Sequence, residues 1–158
     1  MSGKNRRDAG ADMPAWDEGA YDVTRHPAQL ARRLHQRAAQ LFNAASPEAS
    51  LTAPQFAILA TLLQTGPASQ VTLGEQVSMD PSTTSAIIRK LLQSGLITRS
   101  QSSEDRRMHV IELSGAGRSL VTAHLAISRQ AGRDLLKPLS PAEQRRFMDL
   151  LDRLLNSD

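Results

Sequence analysis

Residues 72–95, TLGEQVSMDPSTTSAIIRKLLQSG, predict two short helices joined by a tight turn. Thr72 and Glu75 stand three residues apart in the pattern of a capping box, which predicts that the first helix begins at Thr72. Asp80 and the proline after it predict the start of the second helix, because a carboxylate can cap the first turn and proline suits the first helical position. The closing glycine predicts its end. Taken alone, the segment also fits an ordinary helical hairpin in a bundle.

The second of these helices carries small hydroxyl side chains in its first turn. They are Ser82, Thr83 and Thr84, and we expect all three to be exposed, where they could donate to a phosphate or to a base edge. Arg89 and Lys90 add positive charge farther along the helix. A helix with these features is typical of one that enters a DNA groove.

Two β-prone segments, residues 96–100 and 109–113, follow this unit with a polar loop between them. Helix, turn, helix and a two-stranded ribbon predict a winged helix-turn-helix. The loop residues that we predict to contact DNA are Ser102, Arg106 and Arg107. Arginine suits a wing tip, since its planar guanidinium fits a narrow minor groove. We expect Asp105 to orient one of these two arginines, with Arg107 as the first candidate. The alternative is a solvated turn with mixed charges.

Helical patterns flank the winged unit on both sides. Residues 27–45 carry an apolar stripe at helical spacing, and the serine–proline pair after it predicts the end of that helix. The predicted N-caps of the later helices are Thr52, Ser114 and Ser140. The fold class is therefore mainly α with a small β-wing.

The last helix is too apolar for a lone surface element, since it carries Phe147, Leu151, Leu154 and Leu155. We expect the N- and C-terminal helices of two chains to form an intertwined dimerisation region. The alternative is a monomer that folds its ends onto its own sheet. The predicted organisation is a flexible N-terminal arm at 1–24, a dimerisation helix at 25–51, the winged helix-turn-helix DNA-binding region at 52–114 and C-terminal dimerisation helices at 115–158.

Over residues 28–156 the chain resembles the MarR family of bacterial regulators. The motifs that carry the resemblance are Thr72-Leu-Gly-Glu, Asp80-Pro-Ser-Thr-Thr, Leu91-Leu-Gln-Ser-Gly-Leu-Ile-Thr-Arg, Asp105-Arg-Arg and Leu113-Ser-Gly-Ala-Gly. Ser114 stands where the family usually has threonine, but the capping hydroxyl is kept. The resemblance implies a homodimer that binds a palindromic operator in double-stranded DNA and loses affinity when a small ligand binds.

The N-terminal half is similar to the branch of this family that controls catabolism of aromatic and N-heterocyclic acids, including the nicotinate-pathway repressors. That similarity implies an aromatic or pyridine carboxylate effector, such as hydroxynicotinate. Arg33 and His35 on the first helix, with Phe56 on the next, would suit it through charge pairing at the carboxylate and stacking at the ring. The alternatives are a solvated basic face for the arginine and a satisfied interface histidine.

The family's salicylate site implies two further ligand contacts. Ser85 and Arg99 match its positions in this sequence. Each residue also has an alternative role. Arg99 could contact a DNA phosphate, and Ser85 could lie on the recognition helix, the second of the two short helices, without contacting a ligand.

The amino-acid composition excludes several classes of function. The chain has 158 residues, enough for one domain, and a formal net charge of +3. It has no cysteine, which excludes thiol-based sensing, disulfides and thiolate zinc sites. Its four histidines, at 26, 35, 109 and 124, lack metal-ligand spacing, so we expect neither a metal nor another cofactor. We expect His124 at the surface or at an interface.

No apolar run is long enough to span a bilayer, so we expect a soluble cytoplasmic protein without a membrane partner. No nucleophile or convergent acid–base pair stands out, and we therefore do not expect an enzyme. The prediction is a ligand-responsive repressor. The alternative is a constitutive DNA-binding regulator, or an architectural protein, without a small-molecule effector.

Overall fold

A computed structural model describes residues 21–46, 51–101 and 109–157. In these ranges the chain is mostly helical, and the elements in order are a 3₁₀ turn at Val23–Arg25, α1 (Pro27–Ala45), α2 (Ala53–Thr65), α3 (Gln70–Gln76), α4 (Pro81–Gln93), β1 (Ile97–Gln101), β2 (His109–Leu113), α5 (Gly115–Leu136) and α6 (Pro141–Leu155). The predicted fold class, mainly α with a small β-wing, is confirmed. The predicted loop residues Ser102, Asp105, Arg106 and Arg107, and the arm up to residue 20, lie outside the described residues.

Four of the predicted helix starts are confirmed. The Thr52 hydroxyl accepts the Gln55 N–H, and the Gln55 side chain accepts the Thr52 N–H at 2.9 Å, which completes a capping box. Ser140 begins α6 with a capping box of the same kind. Asp80 caps α4, and Ser114 caps α5 through the Gly117 N–H at 3.0 Å.

The predicted start of α3 was wrong. This helix begins at Gln70, and its N-cap is Ser69, whose hydroxyl accepts the Thr72 N–H at 3.1 Å. Thr72 therefore lies in the first turn and does not cap it. Both positions carry a hydroxyl, and the chain enters the helix at the earlier one because Ala68 is fixed just before it. Ala68 and Ile111 exchange two backbone hydrogen bonds, at 3.0 and 2.9 Å.

The core joins the helix-turn-helix to the sheet. The fully buried side chains of this core are Leu51, Ile58, Leu59, Leu62, Leu73, Ile88, Leu91, Ile97, Ile111 and Val121. β1 and β2 pair antiparallel, with Ile97 opposite Leu113 and Arg99 opposite Ile111. Residues directly opposite in an antiparallel pair share a face of the sheet. The face that buries Ile111 in the core therefore also carries Arg99.

The contacts within the chain divide it into two compact units, residues 1–38 and 39–158. In the described part of the first unit, Asp22 caps the 3₁₀ turn by accepting the Thr24 N–H at 2.8 Å. The second unit contains the winged helix-turn-helix and both C-terminal helices. None of the helices in the three described ranges combines the length and apolar character that crossing a bilayer requires.

The structure corrects the prediction for His124, which is buried within the second unit and is 6% exposed. Its Nδ1 lies 2.9 Å from the Leu120 carbonyl oxygen, and its Nε2 lies 3.4 Å from the Ser46 hydroxyl. Ser46 is itself buried. The partner stands 78 positions away in the sequence, so no local pattern could have predicted this contact.

Gly117 lets α5 approach the backbone of Leu96, which lies between α4 and β1. A Cβ at this position would stand 1.9 Å from the Leu96 carbonyl oxygen, which is backbone and cannot move aside cheaply. We expect Gly117→Ala to lower the free energy of unfolding by about 2–3 kcal/mol through overpacking. Gly132→Ala on the same helix is the control: its Cβ meets nothing within 4 Å, so a gain of about 0.5–1 kcal/mol is expected. Denaturant titration measures both, and equal stabilities would contradict the prediction.

Candidate nucleic-acid interface and effector site

One face of α4 packs into the core, and the other is exposed. Thr84, Ile88 and Leu91 lie buried at helical spacing. The exposed residues of the opposite face are Ser82, Thr83, Ala86, Arg89, Lys90 and Gln93. Ala86 and Gln93 were not predicted from the sequence, although helical periodicity from Ser82 could have identified them. The outer face thus combines two cations, hydroxyls, an amide and one small apolar side chain.

Thr84 does not belong to that face, and its prediction as an exposed DNA contact was wrong. It is 1% exposed, and its hydroxyl donates to the Asp80 carbonyl oxygen at 2.9 Å. A Cβ added at Gly74 would stand 3.0 Å from this hydroxyl, so α3 and α4 approach closely here. The side chain fixes the turn between the two helices and cannot reach a groove.

Thr83 is exposed, but its hydroxyl already donates a hydrogen bond within the chain. It donates to one carboxylate oxygen of Asp80 at 2.6 Å, and the Thr83 N–H donates to the other at 2.9 Å. The hydroxyl bond, followed by the backbone bond, holds the pKa of the Asp80 carboxyl below its ordinary value. The two bonds thus favour the ionised carboxylate, which is the ordinary form of aspartate at neutral pH.

An open depression of about 500 Å³ lies beside the start of α3 and the sheet. Its lining residues are Ser69, Gln70, Val71, Thr72, Arg99 and His109. Arg99 lies opposite Ile111, and His109 lies opposite Gln101, so both arise from one face of the sheet. Val71 is an exposed apolar side chain, with 70% of its surface accessible.

This depression suits a small aromatic acid chemically. A guanidinium such as that of Arg99 can bind a carboxylate with two parallel hydrogen bonds. His109 can donate or accept, and Val71 offers apolar surface to a ring. The Ser69 and Thr72 hydroxyls hydrogen-bond each other at 2.9 Å. Across the described ranges, the structure groups no three histidine or carboxylate side chains in a way that could hold a metal ion.

Two other predicted ligand contacts, Ser85 and Phe56, are not brought into this depression. Ser85 lies half-buried on α4 and is not among the lining residues. Phe56 packs on Phe42, with the ring centroids 5.0 Å apart and the planes at 38°. Arg33 and His35 are exposed on the part of α1 that belongs to the first unit. Their role as ligand contacts stays a prediction.

Comparison with known proteins decides the family. The model of the MarR family matches residues 51–109. The HTH-type transcriptional repressor NicR of Pseudomonas putida is 30% identical over 142 residues, which cover 90% of each protein. The chain belongs to the MarR family. The predicted resemblance, including its similarity to a nicotinate-type repressor, is thereby confirmed.

Solved structures of MarR-type proteins share the fold along nearly the whole chain. The structure of BpsR of Bordetella bronchiseptica, whose DNA binding is regulated by 6-hydroxynicotinic acid, has a TM-score of 0.81 and 29% identity. It covers 89% of this chain and 100% of BpsR. PcaV of Streptomyces coelicolor in complex with its natural ligand has a TM-score of 0.76 and 30% identity, with coverage of 88% and 98%. This MarR-family chain is a DNA-binding transcriptional regulator and not an enzyme.

Proposed function

We propose that the chain is a homodimeric repressor that binds a palindromic operator and releases it when a small aromatic or pyridine carboxylic acid binds. The observation that carries the proposal is the exposed face of α4, where Arg89 and Lys90 follow Ser82 and Thr83 on the same side. Cations at the outer end and small polar groups at the tip suit phosphate contacts and base contacts, respectively. Such a protein acts in the cytoplasm, where the bacterial operator lies.

The C-terminal helix supports the homodimer. α6 is 15 residues long and buries none of them within the single chain. Leu154 and Leu155 are 76% and 80% exposed, and Met148 and Leu150 are exposed as well. An apolar surface of this kind on one helix marks an interaction site. A second copy that supplies the same surface would cover it and would space the two recognition helices about 34 Å apart.

The wing completes the proposed grip on DNA. Arg106 and Arg107 are proposed minor-groove contacts, Ser102 a phosphate contact, and Asp105 the residue that orients an arginine. On the helix side, the proposed contacts are Ser82, Thr83, Arg89 and Lys90.

The proposed effector site is the depression beside Arg99. BpsR responds to 6-hydroxynicotinic acid, and a pyridine carboxylate needs a cation and apolar surface, which Arg99 and Val71 supply. A ligand there would contact both α3 and the sheet, so it could alter how α4 and the wing reach DNA together. Ser85, Phe56, Arg33 and His35 remain further candidates for ligand contacts.

Binding to the DNA upstream of the protein's own gene tests the proposal. We would titrate the complex with nicotinate, 6-hydroxynicotinate, benzoate and salicylate, and include nicotinamide as an uncharged control. Specific binding that one acid reverses is the expected result. Specific binding that no acid affects would favour a constitutive regulator, and absence of specific binding would overturn the proposal.

Phosphate contacts by α4 predict a change in salt dependence. Arg89→Ala or Lys90→Ala should weaken operator binding and lower the slope of log K against log salt by about 2, because each change removes one contact from each subunit. Arg129→Ala removes the same charge from an exposed position on α5 and should leave the slope nearly unchanged. Titrations at several salt concentrations measure the slopes. Equal slopes of log K against log salt in all variants would show that Arg89 and Lys90 on α4 do not contact phosphates.

A further inference from the structure

The first turn of α4 fixes the position of one hydroxyl proton. The Thr83 O–H donates to a carboxylate oxygen of Asp80 at 2.6 Å, and the other carboxylate oxygen accepts the Thr83 N–H at 2.9 Å. Asp80, like any aspartate of ordinary pKa, is ionised at neutral pH, and both bonds lower the pKa of its carboxyl further. Hydrogen bonds to an ionised acceptor are about twice as strong as bonds between neutral groups. The proton therefore stays directed at Asp80.

This bond decides what Thr83 can offer to DNA. A free threonine hydroxyl can either donate or accept, and rotates to suit its partner. With its proton held, Thr83 presents only an oxygen that accepts, together with its methyl group. Asp80 is exposed beside it, and a carboxylate is also an acceptor only. At the tip of α4, Thr83 and Asp80 thus both present oxygens that accept hydrogen bonds.

The four bases differ in whether they present a hydrogen-bond donor or an acceptor to such oxygens. In the major groove adenine and cytosine each present an amino donor, whereas guanine and thymine present acceptors. Two acceptors repel each other. A keto oxygen of guanine or thymine opposite Thr83 would therefore be bound only if the Thr83 hydroxyl proton turned away from Asp80. In the major groove, each base pair presents one amino group, which belongs to adenine or cytosine. A preference for that group therefore depends on which strand carries the adenine or cytosine at the contacted position.

We infer that Thr83, with its hydroxyl proton held by Asp80, selects adenine or cytosine at one position of each operator half-site and disfavours guanine and thymine there. The inference rests on the proposed function, and it names the base class that the tip of the recognition helix reads. It also replaces the expectation that Thr83 donates to the DNA. Asp80 is the positioning residue and Thr83 the contact.

Two substitutions test this inference from opposite directions. Thr83→Val keeps the branched shape and removes the oxygen. Asp80→Asn keeps an N-cap acceptor, but its amide N–H₂ can donate to the Thr83 oxygen and so frees the hydroxyl proton. Thr65→Val is the matched control, since Thr65 is also an exposed helical threonine and its hydroxyl donates within the chain, to the Thr61 carbonyl oxygen at 3.0 Å.

Each full-length protein would be used to select sequences from a randomised duplex DNA library. In the wild-type protein and in Thr65→Val, we expect one position per half-site to favour adenine or cytosine about fivefold to tenfold over guanine or thymine. Thr83→Val should lose this preference, and Asp80→Asn should shift it toward guanine and thymine. Relative preferences among sequences do not depend on the fraction of active protein, so partial unfolding of a variant cannot imitate the result.

The outcomes separate this inference from the proposed function. Selection of no sequence by the wild-type protein would overturn both. Selection of an operator with a preference that is unchanged in Thr83→Val would overturn the inference alone. A preference that Thr83→Val removes and Asp80→Asn leaves unaltered would also overturn it, because the proton held by Asp80 would then not decide the base.

Discussion

Replacement of Leu154 and Leu155 together by glutamate is expected to convert the protein to monomers and to lower its operator affinity by about 100-fold to 10,000-fold. The expected loss is large because the proposed palindromic operator would be held at two half-sites at once. Once the first half-site is bound, a linked second subunit binds at a high effective concentration, and a monomer loses this advantage. The individual contacts between α4 and DNA would remain intact.

The energetic basis lies in the exposed end of α6. Leu154 and Leu155 are 76% and 80% exposed in the single chain, and burial of each leucine contributes about 1.5–3 kcal/mol. Twofold symmetry makes every substitution count twice in the dimer. Glutamate in their place would also have to lose its hydration in an apolar interface.

A control with the same charge separates this effect from electrostatic repulsion of DNA. Asn156→Glu with Ser157→Glu also lowers the formal net charge from +3 to +1, at exposed polar positions next to the same helix. We expect that variant to remain dimeric. Analytical ultracentrifugation gives the oligomeric state, and a gel-shift titration gives the affinity. A dimeric Leu154→Glu/Leu155→Glu protein with unchanged affinity would exclude this part of α6 from the interface.

The helix boundaries were predictable wherever the signal is local. Asp80 before a proline, Thr52 with Gln55, and Ser140 with Glu143 each place a side-chain acceptor three residues before the N–H that it satisfies. Such pairs depend on the backbone of one turn, so the sequence alone contains what is needed. At the start of α3 the same kind of pattern failed: Thr72 and Glu75 predicted the wrong cap, since Ser69 provides the N-cap hydroxyl.

The site was less predictable, because long-range packing decides which residues face outward. Ser82, Thr83 and Thr84 look alike in the sequence, yet only Thr84 turns into the core, where α3 brings Gly74 against it. The depression beside Arg99 likewise forms only when the sheet register places this residue and His109 next to the start of α3.

The packing of α5 against the rest of the chain also could not be predicted from local patterns. The contact between Ser46 and His124 joins positions 78 residues apart, and the approach of Gly117 to the Leu96 carbonyl oxygen spans the whole wing. Hydrophobic periodicity identifies the helices but does not specify which polar groups become buried between them. Both contacts depend on the tertiary fold.

Arg99→Gln is expected to raise the concentration of acid needed for release by about 10-fold to 100-fold, since a hydrogen bond to a charged group contributes about 1.5–3 kcal/mol. The substitution keeps a polar side chain and removes the positive charge that would bind the carboxylate. Arg99→Lys keeps the charge and loses the two parallel hydrogen bonds, so an intermediate effect is expected. The measurement is release of a fluorescent operator duplex by the acid that acts on the wild-type protein.

The same variants decide between the two roles proposed for Arg99. As an effector ligand, Arg99 contributes little to DNA binding without acid, and operator affinity in Arg99→Gln stays near the wild-type value. As a phosphate contact, its loss weakens binding without acid and lowers the salt slope by about 2 in the dimer. The exposed guanidinium lies beside Val71 and His109 in one depression, and phosphate binding alone would not require the apolar neighbour. We therefore expect the first result, and unchanged release together with a lower salt slope would assign Arg99 to the DNA.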